Sequence, residues 1–130
     1  MADELPVLIV EDNVKTAEML ELLFRVEGYE SELLVDGAAA LERLEGPPPA
    51  LVVLDVMMPE VNGVDVLRAL RANAAWAQVP VIITSAQGAD REVWEGWRAG
   101  ADCYLVKPYK LDTLWETAEE LLRTGQLSPQ

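Results

Sequence analysis

Apolar residues follow two rhythms along this chain. Five short runs, Val7–Val10, Leu33–Val35, Leu51–Leu54, Val81–Thr84 and Tyr104–Val106, are rich in β-branched residues and bounded by polar or turn residues. Runs of this kind predict strands. Their apolarity is mostly continuous, so each strand is expected to be covered on both faces, as in a parallel sheet. Between the runs the spacing changes to three and four. Val14, Ala17, Leu20 and Phe24 mark a first helix, with Gly28 as its natural stop. Ala38 to Leu44 predicts a shorter helix, halted by Gly46 and Pro47, Pro48 and Pro49. Val64, Leu67 and Leu70 mark a third helix after Asn62-Gly63. Val93, Trp94 and Trp97 lie on a fourth that closes at Gly100. Leu111, Leu114, Ala118, Leu121 and Leu122 define a fifth after Pro108. The alternation is (βα)5, an α/β class chain, which predicts a doubly wound five-stranded parallel sheet.

Composition narrows the chemistry. At 130 residues and 51% hydrophobic content, one domain with a real core is expected, over residues 1–124, followed by a short tail at 125–130 and no output domain. No apolar run approaches the roughly 20 residues of a membrane span. "MADELPVLIV" places two acids and no cationic region before its apolar run, so it does not read as a signal peptide. The single cysteine, Cys103, excludes an internal disulfide, reads as a small buried thiol and fits a cytoplasmic protein. With 23 acidic and 10 basic residues the net charge is −13. That excess repels phosphate backbones, so direct nucleic-acid binding is not expected, whereas divalent cations and neutral or basic proteins suit it. The absence of histidine excludes serine–histidine and cysteine–histidine hydrolysis and histidine-ligated zinc.

Ligands of a doubly wound sheet bind beyond the carboxyl ends of its strands. Here those ends carry Glu11-Asp12-Asn13, Asp55, Thr84-Ser85-Ala86 and Lys107-Pro108. Three carboxylates on one rim repel one another unless a cation intervenes. An all-oxygen donor set favours a hard ion, Mg²⁺, with Mn²⁺ as a substitute. Lys107 adds a compact positive charge. Such surroundings let Asp55 attack phosphorus, and Ser85 donate to a phosphoryl oxygen.

The motifs "VLIVEDN", "LVVLDVMMPEVNG", "VPVIITSA" and "GADCYLVKPY" together resemble the receiver domain of bacterial two-component response regulators, over essentially the full length. The resemblance implies a flavodoxin-like sheet of order 2-1-3-4-5 and assigns Asp55 as phosphoacceptor. It implies Asp12 as a direct metal ligand, Glu11 as an acid reaching the metal through water, and the Met57 carbonyl as a further ligand. Ser85, favoured over Thr84, takes the switch hydroxyl position; Lys107 pairs with the phosphoryl group; Tyr104 is the aromatic that turns inward. The phosphoryl group is expected from a sensor histidine kinase or a phosphotransfer protein. The surface of the fourth helix, fifth strand and fifth helix is expected to change for a downstream protein target, or for a homodimer. The Lys107-Pro108 bond is expected to be cis, and Met57 and Gln87 hold positions that tune phosphate lifetime.

Other residues have plainer readings. Glu11-Asp12 also suits a helix cap, and Asp36 is expected to cap the second helix. Pro59 and Gly63 are expected to shape the loop after Asp55, and Trp76 to pack beneath the connection before Pro80. Arg91, Glu95 and the acids of the fifth helix read as a solvated face. Trp94, Trp97 and Trp115 are candidates for a partner or dimer surface. Three rival functions fit less well. An aspartyl-phosphate hydrolase wants a second acid two residues after the nucleophile, where Met57 stands, and a lid domain. A nucleotide or flavin binder wants a Gly-rich loop where "EDNVKTA" stands. A receiver-shaped module that is never phosphorylated would not need the complete set of acids and lysine.

Overall fold

The computed structural model describes residues 5–86 and 88–125; Gln87, and the tail from residue 126 onward, lie outside the described residues. Five strands and five helices alternate: β1 (Val7–Val10), α1 (Val14–Val26), β2 (Ser31–Leu34), α2 (Gly37–Arg43), β3 (Leu51–Asp55), α3 (Gly63–Ala72), β4 (Val81–Ser85), α4 (Asp90–Ala99), β5 (Cys103–Val106) and α5 (Leu111–Thr124). All pairings are parallel, in the order β2-β1-β3-β4-β5, as expected.

Alternation along the strands divides the core. Val7, Ile9, Leu51, Val53 and Ile82 pack with Leu20 and Phe24 of α1 and Leu114, Ala118 and Leu121 of α5. Leu8, Val10, Val52, Leu54, Val81 and Ile83 pack on the opposite face with Ala40 of α2 and Val64, Leu67 and Leu70 of α3. β1, β3 and β4 are therefore buried throughout, which explains their unbroken apolar runs.

The edge strands depart from expectation. β2 starts at Ser31 and ends at Leu34, while Val35 lies outside it and is exposed. An edge strand needs less apolarity, so polar Ser31 and Glu32 belong to it. β5 begins at Cys103, whose thiol is half-buried, not buried, because only β4 flanks the strand. β3 and β4 each run one residue further than their apolar runs, taking in Asp55 and Ser85.

Side-chain caps fix the starts of α1, α2 and α3. Asn13 accepts from the Thr16 N–H at 3.0 Å, Asp36 from Ala39 at 2.7 Å and Asn62 from Val64 at 2.7 Å. The first cap thus falls to Asn13, leaving Glu11 and Asp12 for other work. Trp76 is fully buried, donates from Nε1 to the Gly46 carbonyl at 3.1 Å and lies under the Arg43 guanidinium. Among the described residues no helix is long and apolar enough to cross a membrane.

Candidate functional site

The sheet register sets the site. Val10 pairs with Leu54, so Glu11 follows level with Asp55; Asp55 pairs with Thr84, and Ser85 with Val106, just before Lys107. One carboxylate oxygen from each of Glu11, Asp12 and Asp55 lies within 4.8 Å of the others. Lys107 Nζ donates to Glu11 Oε1 at 2.9 Å and sits 3.4 Å from Asp55 Oδ2. The structure thus brings together Glu11, Asp12, Asp55 and Lys107 from three strand ends.

Burial gives the cluster its electrostatics. Glu11 is 2% and Asp55 3% exposed, whereas Asp12 faces solvent. Burial pushes the Asp55 carboxyl up to about 7; the Met57 N–H donated to Oδ1 at 3.0 Å opposes this, Glu11 reinforces it and Lys107 counters it. For Lys107, burial alone would lower the pKa, but the Glu11 hydrogen bond and the charges of Asp55 and Glu11 outweigh it, and the net direction is upward. Glu11 Oε2 also accepts from the Asn13 N–H at 3.1 Å. Each buried carboxylate is thus tied to backbone on one side and to lysine on the other.

The loop after Asp55 folds tightly over its own strand. Gly63 N–H donates to the Val56 carbonyl at 3.1 Å, and a Cβ at Gly63 would fall onto the Asp55 carbonyl oxygen and 2.6 Å from Val56 Cα. Gly63 is therefore needed for close approach. The Met57 side chain is exposed. The Lys107-Pro108 peptide is cis.

Ser85 closes β4, one residue past the register partner of Asp55. It is fully buried and its Oγ has no hydrogen-bond partner. Alternation along β4 puts it on the face of Ile83, whose register partner is Tyr104. Tyr104 points outward, 39% exposed, with its ring edge-on to Trp97 at 5.5 Å between centroids. A buried hydroxyl without a partner is costly, and a phosphoryl oxygen would relieve it. The three-carboxylate donor set likewise fits a hard divalent cation.

Two residues read differently from their sequence. Trp115 packs against Phe24 and Tyr29 on the α1 side of α5, so it is not on the surface of Trp94 and Trp97. Tyr109 ends the "GADCYLVKPY" motif, and spacing gives it no role. Its buried hydroxyl lacks a partner, and burial, with the nearby Glu11 charge, pushes it up to about 12. Its position two residues after Lys107 was the available signal. A cleft of about 250 Å³ beside it is lined by Thr16, Met19, Leu20, Lys107, Pro108 and Leu111.

Comparison with known proteins agrees with this arrangement. The family profile described as "Response regulator receiver domain" matches residues 7–119. The DNA-binding response regulator MtrA of Mycobacterium tuberculosis is 37% identical over 123 residues, 95% of this chain and 53% of that protein. The sensory transduction protein RegX3 of Mycobacterium bovis is 39% identical over 119 residues, 92% of this chain and 51% of that protein. The chain thus spans about half the length of these relatives. Among solved structures, the receiver domain of the Francisella response regulator 1452 matches with a TM-score of 0.81 and 31% identity, covering 92% of this chain and 98% of that one. The receiver domain of sensor histidine kinase PA1611 from Pseudomonas aeruginosa PAO1, solved with magnesium in its active-site cleft, matches with a TM-score of 0.84 and 26% identity, covering 93% and 99%. By fold, strand-end chemistry and profile, the chain belongs to the response regulator receiver domain family and is a two-component signal transduction domain.

Proposed function

We propose that Asp55 accepts a phosphoryl group from a phosphohistidine on a sensor histidine kinase or phosphotransfer protein, with Mg²⁺ bound beside it. The convergence of Glu11, Asp12 and Asp55 within 4.8 Å, with Lys107 at 2.9 and 3.4 Å, carries this reading. Glu11, Asp12 and Asp55, with the Met57 carbonyl, are the groups that would hold the cation. When bound, Mg²⁺ supplies positive charge to the transferring phosphoryl oxygens. An Asp55 carboxylate oxygen forms the new O–P bond as the P–N bond to the donor imidazole breaks, its electron pair leaving on the ring nitrogen. Lys107 shifts from Asp55 to the phosphoryl group, and the Ser85 Oγ donates to one of its oxygens.

The readout is a surface. Ser85 and Tyr104 lie on one face of adjoining strands, so movement of Ser85 toward phosphate opens space for Tyr104. Trp94, Trp97, Tyr104 and Val106 are exposed where α4 meets β5, and this α4-β5-α5 face serves a downstream protein or a second copy. The domain signals and does not turn over a substrate: Met57 offers no second acid. It works in the cytoplasm as a protein-contacting domain, and its net charge of −13 disfavours nucleic acid as its own ligand.

Incubation with Mg²⁺ and acetyl phosphate or phosphoramidate, read by intact mass, tests the proposal. One phosphoryl group is expected on the wild type and none on Asp55→Asn. No gain, or a gain that survives the substitution, overturns it.

A further inference from the structure

We infer that Trp97 is a brake on the switch: its ring holds Tyr104 in the outward position and so opposes phosphorylation-linked movement. The inference rests on the reading of Ser85 and Tyr104 as the switching pair, and adds a regulator to it.

Three observations carry it. First, Tyr104 meets the Trp97 ring on the exposed face of β5. Alternation on β5 sends Cys103 and Leu105 into the core against α5, and Tyr104 and Val106 out to the other face, where both are about 40% exposed. The Trp97 ring meets Tyr104 at 88° and 5.5 Å, the edge-to-face arrangement that aromatic quadrupoles favour. Second, Trp97 is held in place by its helix. The preceding residue, Gly96, lies so close to β4 that a Cβ there would sit 2.5 Å from Ile83 Cδ1. The C-terminal end of α4 is closed by Gly100 in the left-handed conformation, whose carbonyl accepts two hydrogen bonds from Arg71, at 3.0 and 2.8 Å. The N-terminal end has no side-chain cap and follows Gly88 at φ 87°. Trp97 therefore sits on the anchored half of α4. Third, Ile83 is the register partner of Tyr104, and the next residue on that face of β4 is Ser85, with its unpartnered hydroxyl. Tyr104 is thus poised between an aromatic partner outside and the Ser85 region inside.

Inward movement breaks the ring contact. When the inward state is the minor one, weakening the outward state raises the competent fraction, and the apparent affinity for a phosphoryl mimic rises by the same factor. The size expected from an aromatic pair is about three- to tenfold.

The test is a double-mutant cycle read by calorimetric titration of the full chain with beryllofluoride in the presence of Mg²⁺. Trp97→Ala is expected to tighten binding about three- to tenfold, and Trp97→Phe, which keeps a ring, to give a smaller gain. In a Tyr104→Ala background Trp97→Ala is expected to change nothing. Unchanged or weakened binding in Trp97→Ala overturns the inference, as does a gain that persists without Tyr104, since that gain would come from packing alone. A wild type that binds no beryllofluoride and takes no phosphoryl group on Asp55 overturns the underlying reading as well, so the two failures are told apart.

Discussion

Asp55 loses its hydration where β3 meets the loop, and its proton is held more tightly in the fold than in the open chain. Its carboxyl rises from 3.8 to about 7, chiefly through burial. A raised acid pKa costs stability as pH climbs between those values, because the native state then binds more protons than the unfolded one. The metal-free protein is therefore expected to lose stability from pH 4 to pH 7. Asp55→Asn, which removes the charge, is expected to be the more stable form at pH 8 by about 1–3 kcal/mol. Thermal melts of both proteins in chelator across this range check it; a wild type that gains stability relative to the variant as pH rises contradicts it. Lys107→Met acts in the opposite sense. It leaves Glu11, 2% exposed, without its cation, and a loss of about 2–4 kcal/mol at pH 7 is expected in denaturant titrations. These residues were legible because strand ends can be read along a line of sequence. The pairing of Lys107 with Glu11 was not, since it depends on how side chains 96 positions apart share one oxygen.

Helices and strands here are joined by side chains that sequence spacing does not reveal. Arg71, on α3, donates to the carbonyls of Ala77, Val79 and Gly100 and to Asp102 Oδ2, which in turn accepts from the Val81 N–H at 2.8 Å. One guanidinium thereby ties the end of α3, the connection to β4 and the turn from α4 into β5. Arg71→Met strands all of these acceptors, and a loss of about 2–4 kcal/mol is expected. Arg68, on the same helix, is itself exposed and among the described residues pairs with Asp65 and the half-buried Glu95, and its replacement is expected to cost about 0.5 kcal/mol or less. Urea denaturation of the two variants checks the contrast; equal losses would refute the clamp. Apolar spacing found every helix, and α1, α3 and α5 each bury one stripe; on α4 the tryptophans that marked it, Trp94 and Trp97, are exposed and only Gly96 is buried. Spacing failed on Trp115, which stands beside inward-facing Leu114: the α1 neighbour that receives its ring is a property of the fold's topology. It also misplaced β2, where polar Ser31 and Glu32 serve an edge that needs no continuous apolarity.

At the scale of the molecule, a chain of net charge −13 gathers three carboxylates at one end of its sheet, and among the described residues Lys107 alone spans the two buried ones. The (βα)5 alternation predicts a doubly wound parallel sheet, the family resemblance supplies the strand order, and together they locate the cluster. The consequence for stability does not follow from either, because it depends on how deeply each acid is buried. A bound divalent cation replaces repulsion with coordination, and stabilises the native state in proportion to its occupancy. At tenfold excess over its dissociation constant Mg²⁺ is expected to add about 1.4 kcal/mol, a rise in melting temperature of about 3–6 °C for a domain of this size. General screening also stabilises so acidic a protein, so the comparison must be made at matched ionic strength with sodium chloride. The Mg²⁺ increment is expected to remain at that match and to disappear in Asp12→Asn, whose exposed carboxylate contributes to the cluster without being needed by the core. An increment that sodium reproduces, or that Asp12→Asn retains, would mean that the acids meet without forming a metal site.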